Sequence, residues 1–391
     1  MKFMAETPKI LVVDDEPDLE PLMLQRMRRD IRKGRYRFVF AHNGLEALEV
    51  LEQDPTVDMV LSDINMPRMD GLALLSQIAK VAPNLRSVII SAYGDMKNIR
   101  TAMNRGAFDF VTKPIDFDDL RVTIDRTLRN LAEWREAIAS RDKLSTLQNE
   151  LNVASKIQQS ILPTEFPSGA EFEVFGNMEA ARNVGGDFFD VLRLEHGRIG
   201  LAIADVSDKG VPAALFMMST RTLLKGTAIG GNQPGDVLRE VNEQLCDENE
   251  AEMFVTVLYA VYDPETKKLT YSNGGHDSPL IIHADGTSTL LPLTRGIALG
   301  VMPGLSYNQQ TVTLKAGDTV ILYTDGVTEA MNADGEQYGL DDLRDMFAGA
   351  PPGDSEGANK SVFDAVHHFA QGTPQSDDIT CLVLRRGGNG N

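Results

Sequence analysis

The chain has 391 residues, which is enough for a multidomain protein with two or three separate hydrophobic cores. Hydrophobic residues make up 42% and charged residues 24%, as in ordinary soluble proteins, and the net charge of −19 opposes binding to nucleic acid and to anionic membranes. Only Cys246 and Cys381 could form disulfides, so no disulfide framework is expected, and the missing apolar signal segment makes a cytoplasmic protein the expectation.

The region 1–115 alternates between strand and helix patterns. This alternation predicts a doubly wound α/β domain with a five-stranded parallel sheet and helices on both faces. The predicted strands are Lys9–Val13, Tyr36–Ala41, Val57–Leu61, Ser87–Ile90 and Asp109–Thr112. The predicted helices are Leu19–Ile31, Gly44–Gln53, Gly71–Ala82 and Met96–Arg105.

Polar side chains follow the carboxyl ends of these strands, which is the edge where α/β sheets bind ligands. They are Asp14, Asp15, Asp63, Ser91 and Lys113. Two carboxylates at roughly 4 Å repel each other by about 4 kcal/mol at an intermediate dielectric constant, and Mg²⁺ would relieve that cost. One carboxylate could then attack a phosphoryl group, with the lysine and serine side chains on the phosphate.

The motifs D-D (14–15), S-D-I-N-M-P-R-M-D-G (62–71), S-A (91–92) and K-P (113–114) resemble the receiver domain of two-component response regulators. The resemblance implies a CheY-like fold in which a sensor histidine kinase or a phosphotransfer protein phosphorylates Asp63. It implies a Mg²⁺ ion held by Asp14, Asp15, Asp63 and the Asn65 carbonyl. It also implies a cis peptide bond at Lys113–Pro114 and a switch pair of Ser91 and Phe110.

The segment Asp116–Leu162 has neither glycine nor proline and repeats apolar residues at helical spacing. Asp116, Asp118 and Asp119 crowd its start, where acidic side chains suit the positive end of the helix dipole, and Pro163 ends it. The segment therefore predicts one helix of roughly 70 Å, which is much longer than an ordinary globular helix.

Two seven-residue periods run along this helix and slip out of phase by one residue near Ala139–Lys143. The periods consist of Ile124, Leu131 and Ile138, and of Leu147, Ala154 and Ile161. A slip of this kind resembles the stutter of a coiled coil. We expect a parallel, homodimeric coiled coil that couples the flanking domains. The alternative is a single long helix packed along those domains.

Short alternating apolar runs fill the region 163–391 and predict two packed sheets flanked by helices. The predicted strands are Phe172–Phe175, Phe188–Leu194, Ile199–Val206, Phe254–Tyr262, Lys268–Ser272, Leu280–His283, Tyr307–Leu314, Thr319–Tyr323 and Ile379–Arg385. The predicted helices are Pro212–Thr227, Gln233–Asn249, Leu340–Phe347 and Lys360–Ala370, and Ala350–Ala358 is predicted to be a loop.

Acidic residues again follow predicted strands or lie at their ends. They are Asp187 in GGDFFD, Asp205 in ADVSDKG, Asp325 in YTDGVTEA, and Asp377 in SDDIT. No histidine or cysteine at ligand spacing accompanies them, which fits an oxygen site for Mg²⁺ or Mn²⁺. Two such ions, about 3.5–4 Å apart, would activate water for attack on a phosphoryl group.

The motifs GGDFFD, DVSDKG, TDGVTEA and DDIT resemble the metal-dependent protein phosphatases of type 2C, the PPM class, and most closely the bacterial branch typified by SpoIIE and RsbU. The stretch A-S-K-I-Q-Q-S-I-L-P (154–163) resembles the segment leading into that branch's catalytic domain. The resemblance implies an α/β/β/α sandwich with two Mn²⁺ or Mg²⁺ ions. The implied ligands are Asp205 bridging both ions, the Val206 carbonyl, Asp325, Asp377 and Asp187, with Asp190 and Asp378 behind them.

Two positions depart from that pattern. The larger class often has a histidine general acid where this chain has Ser207, so protonation of the leaving group would fall to a metal-bound water. Asp208 replaces a glycine common in the bacterial branch, and aspartate tolerates a positive φ better than most residues. We therefore expect an active site. For His276, in NGGHDSPL, a functional role and a turn-fixing role remain open.

The predicted domains are a receiver at 1–115, a helical linker at 116–162 and a phosphatase at 163–391. The leading function is a response regulator that controls a serine/threonine phosphatase acting on a phosphoprotein such as an anti-sigma-factor antagonist. The alternative is an adaptor similar to RssB, which binds a sigma factor for proteolysis and uses the phosphatase-like domain for contact. All four of Asp187, Asp205, Asp325 and Asp377 are present, which favours the enzyme because an adaptor needs no metal ligands.

Overall fold

A computed structural model of the chain describes residues 7–92, 94–169, 171–247, 249–292 and 296–388. The chain forms two compact units, Met1–Thr146 and Leu147–Asn391. The division falls inside the long helix, and the domain limits expected at residues 115 and 162 stay predictions. None of the helices in the described parts combines the length and apolar character that crossing a membrane requires.

The first unit is built on a five-stranded parallel sheet with the strand order β2-β1-β3-β4-β5, as the sequence predicts. The strands are β1 (Lys9–Val13), β2 (Arg37–Ala41), β3 (Met59–Asp63), β4 (Arg86–Ala92) and β5 (Asp109–Lys113). The helices are α1 (Leu19–Arg26), α2 (Arg28–Arg32), α3 (Gly44–Gln53), α4 (Gly71–Val81) and α5 (Met96–Asn104). The predicted helix Leu19–Ile31 is thus two helices, which meet at Met27.

Both faces of this sheet are buried, so its central strands are apolar without interruption. Ile10 and Val12 of β1 belong to the core on one face, and Leu11 and Val13 belong to the core on the other. Because successive side chains of a strand point to opposite faces, one five-residue strand contributes to both cores. Because the strands are parallel, the carboxyl ends of β1, β3 and β5 lie at one edge of the sheet, and the residues that follow these strands lie there too.

The long helix α6 (Phe117–Ile161) has 45 residues and confirms the uninterrupted helix that the sequence predicts. Asp116 caps it, because its side chain accepts hydrogen bonds from the backbone N–H groups of Asp118 and Asp119. Leu120 and Ile124 are buried in the core of the first unit. Residues 135–150 are exposed, and Ile161 packs against the core of the second unit.

The second unit contains two mainly antiparallel sheets, one with the strand order β14-β11-β10-β9-β8 and one with β13-β12-β15-β16-β7-β6. The strands are β6 (Ser168–Gly169), β7 (Phe172–Glu179), β8 (Phe188–Arg193), β9 (Ile199–Val206), β10 (Val255–Asp263), β11 (Lys268–Gly274), β12 (Leu280–Ile282), β13 (Ser288–Leu290), β14 (Gln309–Thr313), β15 (Thr319–Tyr323) and β16 (Ile379–Arg386). The helices are α7 (Val211–Ile229), α8 (Pro234–Asp247), α9 (Asp325–Thr328), α10 (Gly339–Asp345) and α11 (Ser355–Phe369).

Three cores hold this unit together in the order helix, sheet, sheet, helix. Leu201 and Leu382, from β9 and β16, lie in the core between the two sheets. Helices α7 and α8 cover the outer face of the first sheet, and α10 and α11 cover the outer face of the second. Cys381 is fully buried, as its apolar surroundings predict. The arrangement is the predicted α/β/β/α sandwich.

Some elements differ from the sequence expectation. Helix α11 begins at Ser355, inside the stretch Ala350–Ala358 that was predicted to be a loop. The Asp354 side chain accepts a hydrogen bond from the Gly357 backbone N–H and caps the helix, a local signal that the sequence does contain. The short elements β6, β13 and α9 were not predicted. The predicted helix Gln233–Asn249 includes Glu248, which lies outside the described residues.

Candidate functional site

Three strand ends of the first unit bring Asp14, Asp63 and Lys113 together. The Lys113 Nζ lies 3.0 Å from Asp14 Oδ2, 3.0 Å from Asp63 Oδ2 and 2.8 Å from Glu16 Oε1. Asp14 and Asp63 are buried, and Glu16 is exposed. One lysine thus balances part of the charge of three carboxylates.

The acidic group at this edge differs from the predicted one in a single member. In the described parts of the chain, Asp14, Glu16 and Asp63 are the one group of three acidic, histidine or cysteine residues whose ligand atoms all lie within 4.8 Å of one another. Asp15 is exposed and lies outside this group. The Glu16 backbone N–H donates to Asp14 Oδ1 at 2.9 Å, a turn that returns the chain to the site.

Asp63 is held at its backbone and at its carboxylate. Its Oδ1 accepts a hydrogen bond from the Ile64 backbone N–H at 2.8 Å. A Cβ atom at Gly71 would lie 2.1 Å from the Asp63 carbonyl oxygen, so only glycine fits there. Burial raises the pKa of Asp14. Burial alone would lower the pKa of Lys113, but its hydrogen bonds to Glu16, Asp14 and Asp63 raise it.

The remaining predicted receiver residues surround this cluster in the fold. Ser91 is buried at the end of β4, and its hydroxyl has no hydrogen-bond partner among the described residues. Phe110 is partly exposed on β5, and Asn65 is exposed in the loop after β3. The Lys113–Pro114 peptide bond is cis, as predicted. The roles of these side chains stay predictions.

Strand register brings two acidic residues of the second unit together. Strands β8 and β9 are antiparallel with Phe188 opposite Ala204, so the next pair along the register is Asp187 opposite Asp205. Tyr323 of β15 lies opposite Cys381 of β16, which places Asp325 and Asp377 at the matching end of the other sheet. Charge repulsion links Asp205 to Asp325 and Asp377, so the ends of both sheets meet at one site.

Asp187 is fully buried and is held by hydroxyl groups. Thr324 and Thr380 donate hydrogen bonds of 2.7 and 2.6 Å to its Oδ2. Burial, followed by the charges of Asp205 and Asp378, raises the pKa of Asp187 well above its ordinary value. The carboxyl groups of Asp187 and Asp205 are close enough to share a hydrogen bond when one of them carries a proton.

Among the residues that the structure describes, no positively charged side chain forms a salt bridge with Asp205 or Asp325. Burial and the charge of Asp325 raise the pKa of Asp205 to about 7. Burial and the charge of Asp377 raise the pKa of Asp325 to about 6. Asp377 differs from them, because the Lys209 Nζ lies 2.8 Å from its Oδ2 and also donates to the Ser376 carbonyl. The sequence motif DVSDKG contains this lysine, but no role was assigned to it.

Asp378 lies behind the cluster and organises the backbone. It accepts hydrogen bonds from the backbone N–H groups of Ala181 and Gly186, at 2.8 and 2.7 Å. Asp190 pairs with Arg221 of α7 at 2.9 Å. Both side chains thus contact neighbouring groups, and their predicted place behind the metal ligands stays a prediction.

His276 connects the two sheets beside the acidic cluster. Its Nδ1 lies 2.9 Å from the Thr256 hydroxyl, and its Nε2 lies 3.2 Å from the Tyr323 carbonyl oxygen. Burial lowers the pKa of His276 to about 4, so the side chain is neutral at neutral pH. With Nε2 protonated, the imidazole donates to the Tyr323 carbonyl and accepts from Thr256. These contacts support the structural role left open above.

The loop after Asp205 has the conformation that its sequence tolerates. Asp208 adopts a φ of 70°, a value that aspartate accepts more readily than most residues. The Ser207 backbone and hydroxyl pair with the Phe254 backbone, at 2.9 and 3.0 Å. The Val206 carbonyl oxygen, a predicted ligand, faces Gly186, where an added Cβ atom would lie 3.1 Å from it.

Divalent ions suit both clusters by donor type and by charge. Each cluster offers carboxylate oxygens, the donors that Mg²⁺ and Mn²⁺ prefer. The carboxyl groups of Asp187, which is buried, and Asp205, which is partly buried, repel each other when both are charged, and a cation would remove that repulsion. A cavity of about 280 Å³, lined in part by Asp377, Ser376 and Gly326, lies beside the second cluster. A ligand could therefore approach it from that side.

Comparison with known families assigns both regions. Residues 10–125 match the family model of the response regulator receiver domain. Residues 195–387 match the family model of stage II sporulation protein E, SpoIIE. The chain is 29% identical over 241 residues to the phosphoserine phosphatase RsbU of Bacillus subtilis, an alignment that covers 61% of this chain and 71% of RsbU.

Two further relatives extend the comparison. The chain is 30% identical over 266 residues to protein IcfG of Synechocystis, covering 61% of this chain but only 41% of IcfG. The solved SiaA-PP2C domain of Pseudomonas aeruginosa superposes with a TM-score of 0.54 at 24% identity, covering 62% of this chain and 98% of that domain. At this identity the likeness to the SiaA domain concerns the fold.

Proposed function

The chain carries a response regulator receiver domain and a SpoIIE-type protein serine/threonine phosphatase domain, and from that premise we propose that phosphorylation of Asp63 controls the phosphatase activity. The proposed substrate is a phosphoserine or phosphothreonine protein of the anti-sigma-factor antagonist type. The proposed phosphoryl donor is a sensor histidine kinase or a phosphotransfer protein. The proposed assembly is a homodimer formed through α6.

One observation carries the proposal: the sheet ends of the second unit bring carboxyl groups together, and no cationic side chain in the described part of the chain forms a salt bridge with Asp187 or Asp205. Asp187 and Asp205 are adjacent, and burial raises the pKa of both. A fold gains no stability from such an arrangement, because buried like charges without partners are costly. Two Mn²⁺ or Mg²⁺ ions, held by Asp187, Asp205, the Val206 carbonyl, Asp325 and Asp377, would supply the positive charge and an activated water.

In the receiver, Mg²⁺ would be held by Asp14, Asp63 and the Asn65 carbonyl, with Glu16 beside them. Lys113 already touches the Asp63 carboxylate and is placed to bind phosphate oxygens. Asp15 stays a proposed ligand, and Glu16, which is also exposed, is a further candidate because its carboxylate lies within 4.8 Å of those of Asp14 and Asp63. The Ser91 hydroxyl has no partner among the described groups and is free to bind the phosphoryl group.

The test uses the full chain with phosphoserine peptides and Mn²⁺. We expect phosphate release that stops with EDTA, and labelling of Asp63 by acetyl phosphate in the presence of Mg²⁺. Labelling that persists in Asp63→Ala would refute the phosphoacceptor assignment. Phosphate release unaffected by EDTA would refute the metal mechanism. Binding of a sigma factor without any phosphate release would instead support the adaptor function.

A further inference from the structure

The last turn of helix α6 makes a buried contact with the loop that leads to Asp187. Gln158 is only 4% exposed, although its neighbours Ile157 and Gln159 are exposed. The Gln158 Nε2 donates to the Gly185 carbonyl oxygen at 2.7 Å, and its Oε1 accepts from the Gly185 backbone N–H at 3.0 Å. One side-chain amide therefore pairs with both backbone groups of a single residue.

The backbone from Gly185 to Asp187 is fixed by two side chains, Gln158 at Gly185 and Asp378 at the two residues that follow. Asp378 Oδ2 accepts from the backbone N–H of Gly186 at 2.7 Å and of Asp187 at 3.3 Å. A Cβ atom at Gly185 would lie 2.3 Å from Asp378 Oδ2, so the segment packs directly against this carboxylate. Gln158 is the partner of this segment that comes from the long helix.

We propose that Gln158 is a positioning residue that holds Asp187 in place for metal binding and makes this placement depend on the position of helix α6. The proposal rests on the proposed function, because it deepens how the phosphatase site is set. Gln158 does not touch the reacting atoms. It acts through the Gly185 backbone, two residues before the Asp187 carboxylate.

The geometry makes this link sensitive to small movements of the helix. Hydrogen bonds of 2.7 and 3.0 Å are lost when a helix shifts by about 1–2 Å, the size of helix shifts in switching proteins. Gly185 is buried, and a buried backbone N–H or carbonyl group needs a partner. When Gln158 moves away, the segment must rearrange to pair these groups, and Asp187 moves with it.

Other contacts show which part of the helix belongs to this link. Asn183, two residues before Gly185, donates to Asn152 of α6 at 3.3 Å. Ile161 and Leu162 pack against the core beside α7 and α8. Two side chains of the helix, Asn152 and Gln158, thus contact the loop, whereas Ile161 and Leu162 attach the helix end to the core. Of the two contacts with the loop, that of Gln158 is nearer in sequence to Asp187.

The test compares Gln158→Leu with the matched change Gln159→Leu in the full chain. Gln159 has the same chemistry one position later but points to solvent. In the metal-free protein, hydrogen exchange of the peptide containing residues 185–187 should become at least about tenfold faster in Gln158→Leu. Calorimetric titration with Mn²⁺ should show binding weakened by about 10–100-fold. Both quantities should stay within about twofold of wild type in Gln159→Leu.

A second variant separates positioning from loss of fold. Gln158→Glu keeps an acceptor for the Gly185 N–H but removes the donor to the Gly185 carbonyl, so its exchange rate and Mn²⁺ affinity should lie between those of wild type and Gln158→Leu. Equal Mn²⁺ affinity in Gln158→Leu, Gln158→Glu and Gln159→Leu overturns the proposal. Exchange that rises uniformly over the second unit also overturns it, since Gln158 would then only stabilise the fold. A wild-type protein that binds Mn²⁺ but releases no phosphate refutes the proposed function. The Mn²⁺ affinities and exchange rates of the variants can still be compared in that case.

Discussion

At the edge of the receiver sheet, Lys113 contacts Asp14, Glu16 and Asp63 and supplies a positive charge from within the fold. At the ends of the phosphatase sheets, Asp187 is held by the hydroxyl groups of Thr324 and Thr380 and has an acidic neighbour in Asp205. Lys209 reaches Asp377 at the rim of this second cluster. The same residue type, aspartate at strand ends, therefore lies in two different electrostatic settings.

The two sites differ in how the negative charge of their carboxyl groups is balanced when no metal is bound. The receiver carboxylates have the Lys113 ammonium group beside them, so part of their charge is balanced without a metal, and Mg²⁺ would complete that balance. Among the described residues, the Asp187–Asp205 pair has hydroxyl donors but no salt bridge to a cation, so in the metal-free protein burial favours protonated carboxyl groups. A metal ion bound by these carboxyl groups would have to displace those protons.

The largest effect is expected from Asp205→Asn, which removes the carboxylate proposed to bridge both ions. Phosphate release should fall at least about a hundredfold, because a bridging ligand supports both ions. The fold should persist, since the change also removes one of two neighbouring carboxyl groups that repel each other when charged. Activity on a phosphoserine peptide and the melting temperature are the two measurements.

The control for this change is Asp285→Asn, which alters an exposed aspartate in a turn of the same unit. It should leave both the activity and the melting temperature unchanged. Asp63 labelling should also be unaffected by Asp205→Asn, because the two clusters lie in separate units. An Asp205→Asn protein with more than a tenth of wild-type activity contradicts the proposed ligand set.

The next largest effect tests whether the two sites are coupled through the exposed middle of α6. Leu144 and Leu147 are 68% and 47% exposed, which a coiled-coil partner would explain. Leu144→Glu with Leu147→Glu should convert a dimer into a monomer and remove the effect of beryllofluoride on phosphatase activity. Light scattering gives the mass. Ile161, although it belongs to the same period, is unsuitable because it packs against the phosphatase core.

Val122→Glu provides the control, because Val122 lies on the same helix and is 64% exposed but is outside the exposed stretch 135–150. It should leave the dimer and the response to beryllofluoride intact. A wild-type protein that remains a monomer at tens of micromolar, with and without beryllofluoride, would rule out the coiled coil. The helix would then act within one chain.

A smaller effect should follow from Lys113→Met, which makes the receiver site resemble the phosphatase site. Without its lysine the receiver loses three ionic contacts, so the metal-free unit should be destabilised by about 2 kcal/mol. Mg²⁺ should then raise the melting temperature of the variant more than it raises that of wild type. Lys97→Met, at an exposed lysine of α5, is the control. An equal or smaller Mg²⁺ shift would contradict the charge-balance argument.

The sequence predicts both sites to a large extent, because sheet topology converts order along the chain into proximity. Parallel strands place their carboxyl ends at one edge, so Asp14, Asp63 and Lys113 had to be close once the sheet was assigned. Caps and prolines are equally local, so the limits of α6 are predicted to within one residue. The same reasoning overlooked the Asp354 cap, and the start of α11 was misplaced for that reason alone.

Contacts between distant segments could not be derived in this way. The pairing of Lys209 with Asp377 and of Gln158 with Gly185 depends on how loops fold over the sheet ends, which periodicity does not encode. The apolar stripe of α6 poses a related problem. Leu120 and Ile124 have the spacing of a coiled coil, but they fill the core of their own unit. Packing against a domain core and packing in a coiled coil need the same spacing of apolar residues, so the sequence does not distinguish them.

The smallest expected effect is a pH dependence of stability that comes from His276. Lys113 holds the receiver site together as a cation, whereas His276 makes its hydrogen bonds beside the phosphatase site as a neutral side chain. The pKa of His276 is about 4 in the folded protein and about 6.5 when unfolded, so the unfolded chain binds more protons between these values. The stability due to His276 is therefore complete above about pH 6.5 and is lost as the pH falls towards 4. Between pH 7 and 5.5 the loss should be about 1 kcal/mol.

The measurement is urea unfolding of wild type and His276→Asn at a series of pH values, because the difference between the two proteins isolates this histidine from the carboxyl groups around it. The variant should be less stable at pH 7, and the difference should shrink as the pH is lowered. His196→Asn, in an exposed turn, removes a histidine without touching a buried hydrogen bond and should show no such trend. If the difference in unfolding free energy between the two proteins stays constant from pH 7 to 5.5, His276 is not kept neutral between Thr256 and Tyr323. The contrast with the charged Lys113 would then not hold.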